Sequence, residues 1–476
     1  MRGGAADNRI AAGPVLLLLC GWSLLFGVLG HFTFGYGPLT FLGLVAVAGL
    51  VFLALRMARW ARWPGRLMVS PSLLAGLLAV LAAGWLVVHG ATFVRSMGSG
   101  RMVDIGVNTE CAARRFFSEG RNPYASRCQL WSVAQAPHVS VRQGQTFMWH
   151  VPYSYGYPYY PVMFLAYEPA RKVIHGLDAV RLGNAVWLLA ALFGVAWLAG
   201  RLTSGFLQPV AAALASLALL GIPPLGHELF QLGVTDLLLG VLLLYGFVAL
   251  SYGREGVAGV LFGLSLGAKL MPALLVLLLL TVHLFRHRQG ARLAAAFFVT
   301  TLAVILPFFV WNPAAFFSAT TLFYLTQHAG GDSTSFSFFL PSWLRLPFGG
   351  VGVLVAAALL CVPQDRLRAL LGEKKTSSPK PWPCGEQVQP LQAPREPRVA
   401  FVDELLVRLF VAHVVFVAFA PMSHLNYVWA VAPVGAVAFA SGCVRGAGIR
   451  GGTQVLDPKT AQVPPGALGE ATPKAS

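Results

Sequence analysis

Charge is scarce in this chain. Asp, Glu, Lys and Arg together make up 11% of its 476 residues, against roughly 25% in ordinary soluble proteins. A chain so poor in charge cannot cover its own surface with polar groups, which excludes a soluble globular domain. Its 56% of hydrophobic residues excludes intrinsic disorder. Cysteine is scarce too: six residues in the whole chain exclude a disulfide-built scaffold. No group of His, Cys, Asp and Glu has the spacing of a metal site, and no internal repeat runs through the sequence. Transporters built from inverted repeats often carry paired broken helices. Here one broken segment, 256–285, has no counterpart. Acidic residues are the rarest charged class, 18 against 35 basic ones, for a net charge of +17.

What the chain has in abundance is long apolar runs. Stretches of about 20 apolar residues span a bilayer as helices. They occur at 12–31, 37–55, 72–95, 180–200, 207–222, 229–252, 291–311, 346–362, 401–420 and 427–444. The run 256–285 is too long for one span and is interrupted by Lys269 and Pro272. No small-x-small cleavage site follows the first run, so it reads as a retained span rather than a signal peptide.

Basic residues set the orientation, because loops rich in Lys and Arg stay in the cytoplasm. Arg2 and Arg9 place the N-terminus inside, and Arg56, Arg59, Arg62 and Arg66 place the second loop there. Segment 96–178 is then outside. Arg201, Arg254 and the cluster Arg286, Arg288 and Arg292 are inside, so 256–285 must cross out and back as two half-spans turning near Lys269. Segment 312–345 falls outside, the basic loop 363–400 inside and 421–426 outside. The tail 446–476 is a flexible cytoplasmic segment after a membrane domain of 1–445. The expected fold is all-α and polytopic, with about twelve membrane segments. The positive excess is a topology signal and does not imply nucleic acid.

The outer loop 96–178 is the longest polar stretch. A helix is expected from about Val107 to Glu119, closed by Gly120, with a turn at Asn122-Pro123-Tyr124. Asp104 lies a few residues past the third span. A lone acidic residue there is more often a solvated or helix-end carboxylate than a catalytic one. Lys269, inside an apolar run, must face a partner or a cavity: it is either a ligand for an anion or half of a structural ion pair. Glu228, Gln231, Thr235 and Asp236 fall at helical spacing on the sixth span, where a polar stripe either lines a cavity or glues helices together. His227 sits beside them, and His424 and Asn426 lie in a very short outer turn. His413 is mid-span and reads as a core histidine; Glu404 and Arg408 form an i,i+4 pair read as structural. Trp149, Tyr153, Tyr155, Tyr157, Tyr159 and Tyr160 suit sugar stacking and equally an interfacial belt. Cys111 and Cys128 share the outer loop, where a disulfide is permitted.

In their order these elements resemble a known family. An Asp after a span, a short helix, Gly120-Arg121-Asn122-Pro123-Tyr124, and Tyr157-Pro158-Tyr159-Tyr160-Pro161 before an apolar run resemble polyprenyl-phosphate-sugar-dependent glycosyltransferases of the GT-C fold. The nearest group is glycosyltransferase family 87 (DUF2029), with mycobacterial mannosyl- and arabinofuranosyltransferases. His227–Asp236 stands where that family has a Gly-Gln-rich segment. Gly267-Ala268-Lys269-Leu270-Met271-Pro272 resembles its Lys-x-x-Pro break, and Ala420–Tyr427 its Ser-Pro-x-Ser segment. Relatives carry His-His or His-Tyr in that last segment; here the pair is Asn426-Tyr427, with His424 two residues earlier.

The resemblance implies a membrane enzyme moving a mannose- or arabinofuranose-like sugar from a polyprenyl phosphate to a hydroxyl of a glycan, glycolipid or other acceptor. It implies a site on the outer face of a bacterial inner membrane, inverting chemistry, and no metal or other cofactor. Asp104 would be the general base. Lys269, His227, Glu228, Gln231, Asp236, His424, Asn426, Asn122 and Tyr124 would bind substrate. The rival reading is a transporter or lipid-linked sugar flippase, which explains Lys269 and Asp236 but has no need of the Asp104 segment. A structural subunit without activity is the other rival.

Overall fold

A computed structural model of the protein describes residues 10–32, 68–99, 102, 104–125, 141–142, 145–146, 156–269, 290–322, 341–361, 397–419 and 429–451. The expected span at 37–55, the second half of 256–285, most of the loop 363–400, Cys128, His424 and Asn426 lie outside the described residues.

Apart from two-residue antiparallel ladders, Ile10–Ala11 with Met68–Val69 and Val141–Arg142 with Gln145–Thr146, the described regular structure is helical. The helices, in chain order, are α1 (Ala12–Phe32), α2 (Pro71–Ser96), α3 (Asp104–Phe117), α4 (Pro161–Leu165), α5 (Glu168–Val173), α6 (Leu177–Leu202) and α7 (Gln208–Leu220). They continue with α8 (Leu237–Ser251), α9 (Glu255–Leu266), α10 (Ala291–Trp311), α11 (Pro313–Phe317), α12 (Ser342–Cys361), α13 (Pro397–Phe419) and α14 (Ala432–Gly451). Among the described residues, α2, α6 and α10 are long and apolar enough by length and composition to cross a membrane.

Local chemistry explains where these helices start and stop. In α2 a proline occupies the first turn, where its missing N–H is no loss, and the Ser70 side chain accepts from Leu73 N at 3.3 Å. Beyond α2, Gly98 at φ 73° turns the chain, and its N–H donates to both Asp178 oxygens, at 3.1 and 2.9 Å. Asp178 in turn lies in the first turn of α6, where the helix dipole favours a carboxylate.

The core is centred on α8. Its side chains are apolar all round and buried except for a half-buried Tyr245, as expected of a helix surrounded by others. It packs against α6, α9, α13 and α14. In contrast, Leu77, Val80 and Val87 of α2, and Val299, Leu302 and Val310 of α10, are exposed, which suits contact with lipid. α9 packs along α10. A Cβ on Gly263 would stand 2.7 Å from Phe297 O, so small residues let these two backbones meet.

Two sequence expectations change. The run 229–252 reads as one helix, but the chain makes a π-helical turn at His227–Gln231, an irregular stretch, and only then α8 from Leu237. Gly233 at φ 70° interrupts the helix. The polar stripe of Glu228, Gln231, Thr235 and Asp236 on one helical face therefore does not form. The helix expected at Val107–Glu119 is α3, beginning at Asp104, and Gly120 at φ 63° follows its end.

The expected break near Lys269 is present: α9 ends at Leu266. The carbonyls of Gly267 and Ala268 accept from Val162 N at 2.9 Å and Tyr160 N at 3.1 Å. The segment leading into α4 thus satisfies two carbonyls left open where α9 ends.

Cys111, buried on α3, is disulfide-bonded, while Cys20 and Cys443 are free. With Cys128 the other cysteine of the same loop, non-reducing peptide mapping should link Cys111 to Cys128. A link from Cys111 to Cys361 or Cys384, or a free Cys111 thiol, would contradict that pairing.

Candidate active site

A buried ion pair reaches the break after α9. Lys269 Nζ lies 2.5 Å from Asp236 Oδ1, with the two side chains 1% and 0% exposed. Nζ also lies 5.1 Å from the centre of the Tyr159 ring, within cation–π range. Two charges removed from water cost several kcal/mol each, and their attraction offsets this only with good geometry and further hydrogen bonds. An apolar pair would serve the fold as well, so a buried ion pair at a helix break marks a functional candidate. Two hydroxyls flank it in sequence. Thr235 Oγ1 and Ser265 Oγ are both buried and have no hydrogen-bond partner among the described residues.

Tyr157, Tyr159 and Tyr124 pack beside this pair. Tyr157 is 1% exposed and its hydroxyl lies 3.3 Å from Thr109 Oγ1 on α3. Burial pushes the Tyr157 hydroxyl far above its ordinary pKa, and the Asp236 carboxylate pushes the same way, so Tyr157 offers a neutral O–H. Tyr157 also meets Tyr159 edge to face at 5.4 Å. Tyr124 donates to Tyr159 O at 2.9 Å and packs on Phe308 and Phe316.

The first turn of α3 meets the Asp236 segment directly. A Cβ on Gly106 would stand 2.8 Å from Gly233 O, and Met102, 1% exposed, fills the space between. Asp104 opens α3, two residues from that contact. Its side chain lies outside the described residues.

Behind the Asp236 segment, α6 presents Asp178, Arg181 and Asn184. Arg181 is fully buried. Its Nε donates to Phe230 O at 2.8 Å, one Nη to Asp178 Oδ1 at 2.5 Å and the other to Ser99 O and Oγ, each at 2.9 Å. Asn184 Nδ2 donates to Leu229 O at 2.7 Å and Val234 O at 3.1 Å, while its Oδ1 accepts from Tyr167 at 2.5 Å. None of these three was among the sequence candidates. The available signal was their spacing of three, Asp178-x-x-Arg181-x-x-Asn184, along one face of an apolar helix.

The remaining candidates divide. Glu228 is buried, whereas His227 and Gln231 are exposed and pair with each other, Nδ1 to Oε1, at 2.6 Å. Asn122 Oδ1 accepts from Tyr124 N at 2.8 Å, a turn-forming bond. Away from the site, His413 is buried, and Glu404 pairs with Arg408 on α13. Arg171 pairs with Glu168 within α5 at 2.9 Å and joins α5 to α3 through Glu110 at 3.4 Å and Ser118, just past the end of α3, at 2.8 Å.

The chain is similar to known proteins over part of its length. Residues 149–376 match the model of glycosyltransferase family 87. That stretch contains Tyr157, Tyr159, Arg181, Asp236 and Lys269 and leaves Asp104 outside it. No curated protein sequence matches the chain. Among solved structures the chain is similar to ArnT from Cupriavidus metallidurans bound to undecaprenyl phosphate, at 19% identity and a TM-score of 0.42, over 77% of this chain and 60% of that one. It is also similar to the apo state of the same protein, at 18% identity and a TM-score of 0.40, over 76% of this chain and 60% of that one. The chain thus spans about 60% of the length of the solved chain.

Proposed function

For a chain whose residues 149–376 match glycosyltransferase family 87, we propose that it transfers a sugar from a polyprenyl phosphate to an acceptor hydroxyl at a bacterial inner membrane. The observation that carries this reading is the buried Lys269–Asp236 pair, inside the matched stretch, with Gly233, three residues before Asp236, against the first turn of α3. Undecaprenyl phosphate, the lipid bound in the solved ArnT structure, belongs to the same chemical class as the proposed donor carrier.

In the reaction, the acceptor oxygen attacks the anomeric carbon and the bond from that carbon to the phosphate oxygen breaks. The Asp104 carboxylate takes the acceptor's proton. The polyprenyl phosphate leaves as an anion and needs no proton of its own. Positive charge builds on the sugar as in glycoside hydrolysis. Negative charge builds on the phosphate, where Lys269 stabilises it. A single displacement of this kind inverts the anomeric centre and uses no metal. The positive-inside pattern puts Asp104 and the loop 96–178 on the outer face, with both termini cytoplasmic. The sugar is mannose- or arabinofuranose-like.

Purified full-length protein in liposomes, given a polyprenyl-phosphate mannose or arabinofuranose donor and a glycan acceptor, should release polyprenyl phosphate in step with glycosylated product. Movement of the intact lipid-linked sugar across the bilayer with no product would instead make the protein a flippase.

A further inference from the structure

We propose that Arg181 is a positioning residue that sets the acceptor end of the site against the donor end; this deepens the transferase reading and rests on it. The two ends come from distant parts of the chain. Asp104 begins α3, five residues after Ser99, and Asp236 closes the irregular segment that follows Phe230. Arg181 is fully buried and holds both approaches at once, donating to Ser99 O and Oγ at 2.9 Å and to Phe230 O at 2.8 Å. Asp178 completes the clamp by accepting from Arg181 at 2.5 Å and from Gly98 N at 2.9 Å.

A planar guanidinium can make these bonds together because its donors point in fixed directions. A lysine keeps the charge and loses the fork. Asn184, three residues along the same face, holds only the Asp236 side, through Leu229 O and Val234 O. Arg181 thus hydrogen-bonds to both approaches at once. An error of about 1 Å between reacting groups costs on the order of 10²-fold in rate, so a clamp at this place acts on turnover.

The test is a double-variant cycle in the transfer assay with full-length protein. Arg181→Lys should lower kcat by about 10- to 100-fold, with KM for the lipid donor changed less than about twofold, since the Lys269–Asp236 pair remains. If Arg181 acts through Asp104, Arg181→Lys added to Asp104→Asn should cost almost nothing more. Hydrogen exchange should quicken in 104–109 and 229–236 together in Arg181→Lys. Losses that multiply in the double variant would overturn the proposal and reduce Arg181 to a structural role. So would unchanged kcat in Arg181→Lys, or a loss confined to donor KM. Should Arg181→Lys fail to fold, Asp178→Asn tests the same clamp: a fall in kcat at constant donor KM supports it, and unchanged kcat refutes it. Parent-like turnover in Asp104→Asn is a separate result, seen in the single variant, that would remove the base and the proposal with it.

Discussion

Asp104→Asn should slow sugar transfer by roughly 10²–10⁴-fold, the usual worth of a general base. Asparagine keeps the size of the side chain and its place at the start of α3, but it cannot take the acceptor's proton. Affinity for the lipid donor should hardly change, because the proposed base acts on the acceptor. The measurement is kcat and donor Kd in folded, purified protein. Asp236 is the internal comparison. Its carboxylate is buried against Lys269 and so is already committed to a cation. A variant Asp104→Asn with parent-like turnover, alongside an inactive Asp236→Asn, would move the base from α3 to the segment before α8.

Lys269→Met, unlike Asp104→Asn, should weaken donor binding as well as slow transfer, because the ammonium meets the phosphate both before and during its departure, and it should carry an added penalty in stability. Removing the ammonium leaves the Asp236 carboxylate, 0% exposed, without the cation it faces. Breaking a buried pair from one side costs about 3–5 kcal/mol, so the variant should melt well below the parent. Lys269→Met with Asp236→Leu replaces both charges by apolar groups and should recover most of that loss. Donor affinity should not recover with it. A charge-assisted hydrogen bond is worth about 1.5–3 kcal/mol, or roughly 10- to 150-fold in Kd, and the double variant still lacks the cation. Parent-like donor binding in the stable double variant would show that the pair is purely structural.

Much of the helical frame was legible in the sequence, because a membrane span declares itself by length and hydropathy. The run 291–311 is α10, Ala291–Trp311, and 12–31 is α1, Ala12–Phe32. The break at Lys269 was legible as well, from a charge and a proline within an apolar run. The start of α8 was not. Leu229 and Phe230 extend the apolar run, and hydropathy has no means of registering a π-helical turn or a glycine at positive φ. Asp104 was readable as a residue but its setting was not: the approach of Gly106 to Gly233 is a contact between backbones. The clamp escaped for a related reason. Arg181 reaches Ser99 82 residues back and Phe230 49 residues ahead, and at each of them it meets a backbone carbonyl, which every residue carries. Lys269 reads from sequence as either a phosphate ligand or half of an ion pair. The structure shows the pair, and an anion-binding lysine held by a carboxylate before its ligand arrives satisfies both readings.

The most direct measurement is an experimental structure of the protein with polyprenyl phosphate bound. The phosphate is expected within hydrogen-bond distance of Lys269 Nζ, beside Tyr159, with the Asp104 carboxylate facing the side of the phosphate where the sugar would sit. A phosphate bound elsewhere, with the Lys269–Asp236 pair closed and Asp104 turned to solvent, would contradict the proposed mechanism.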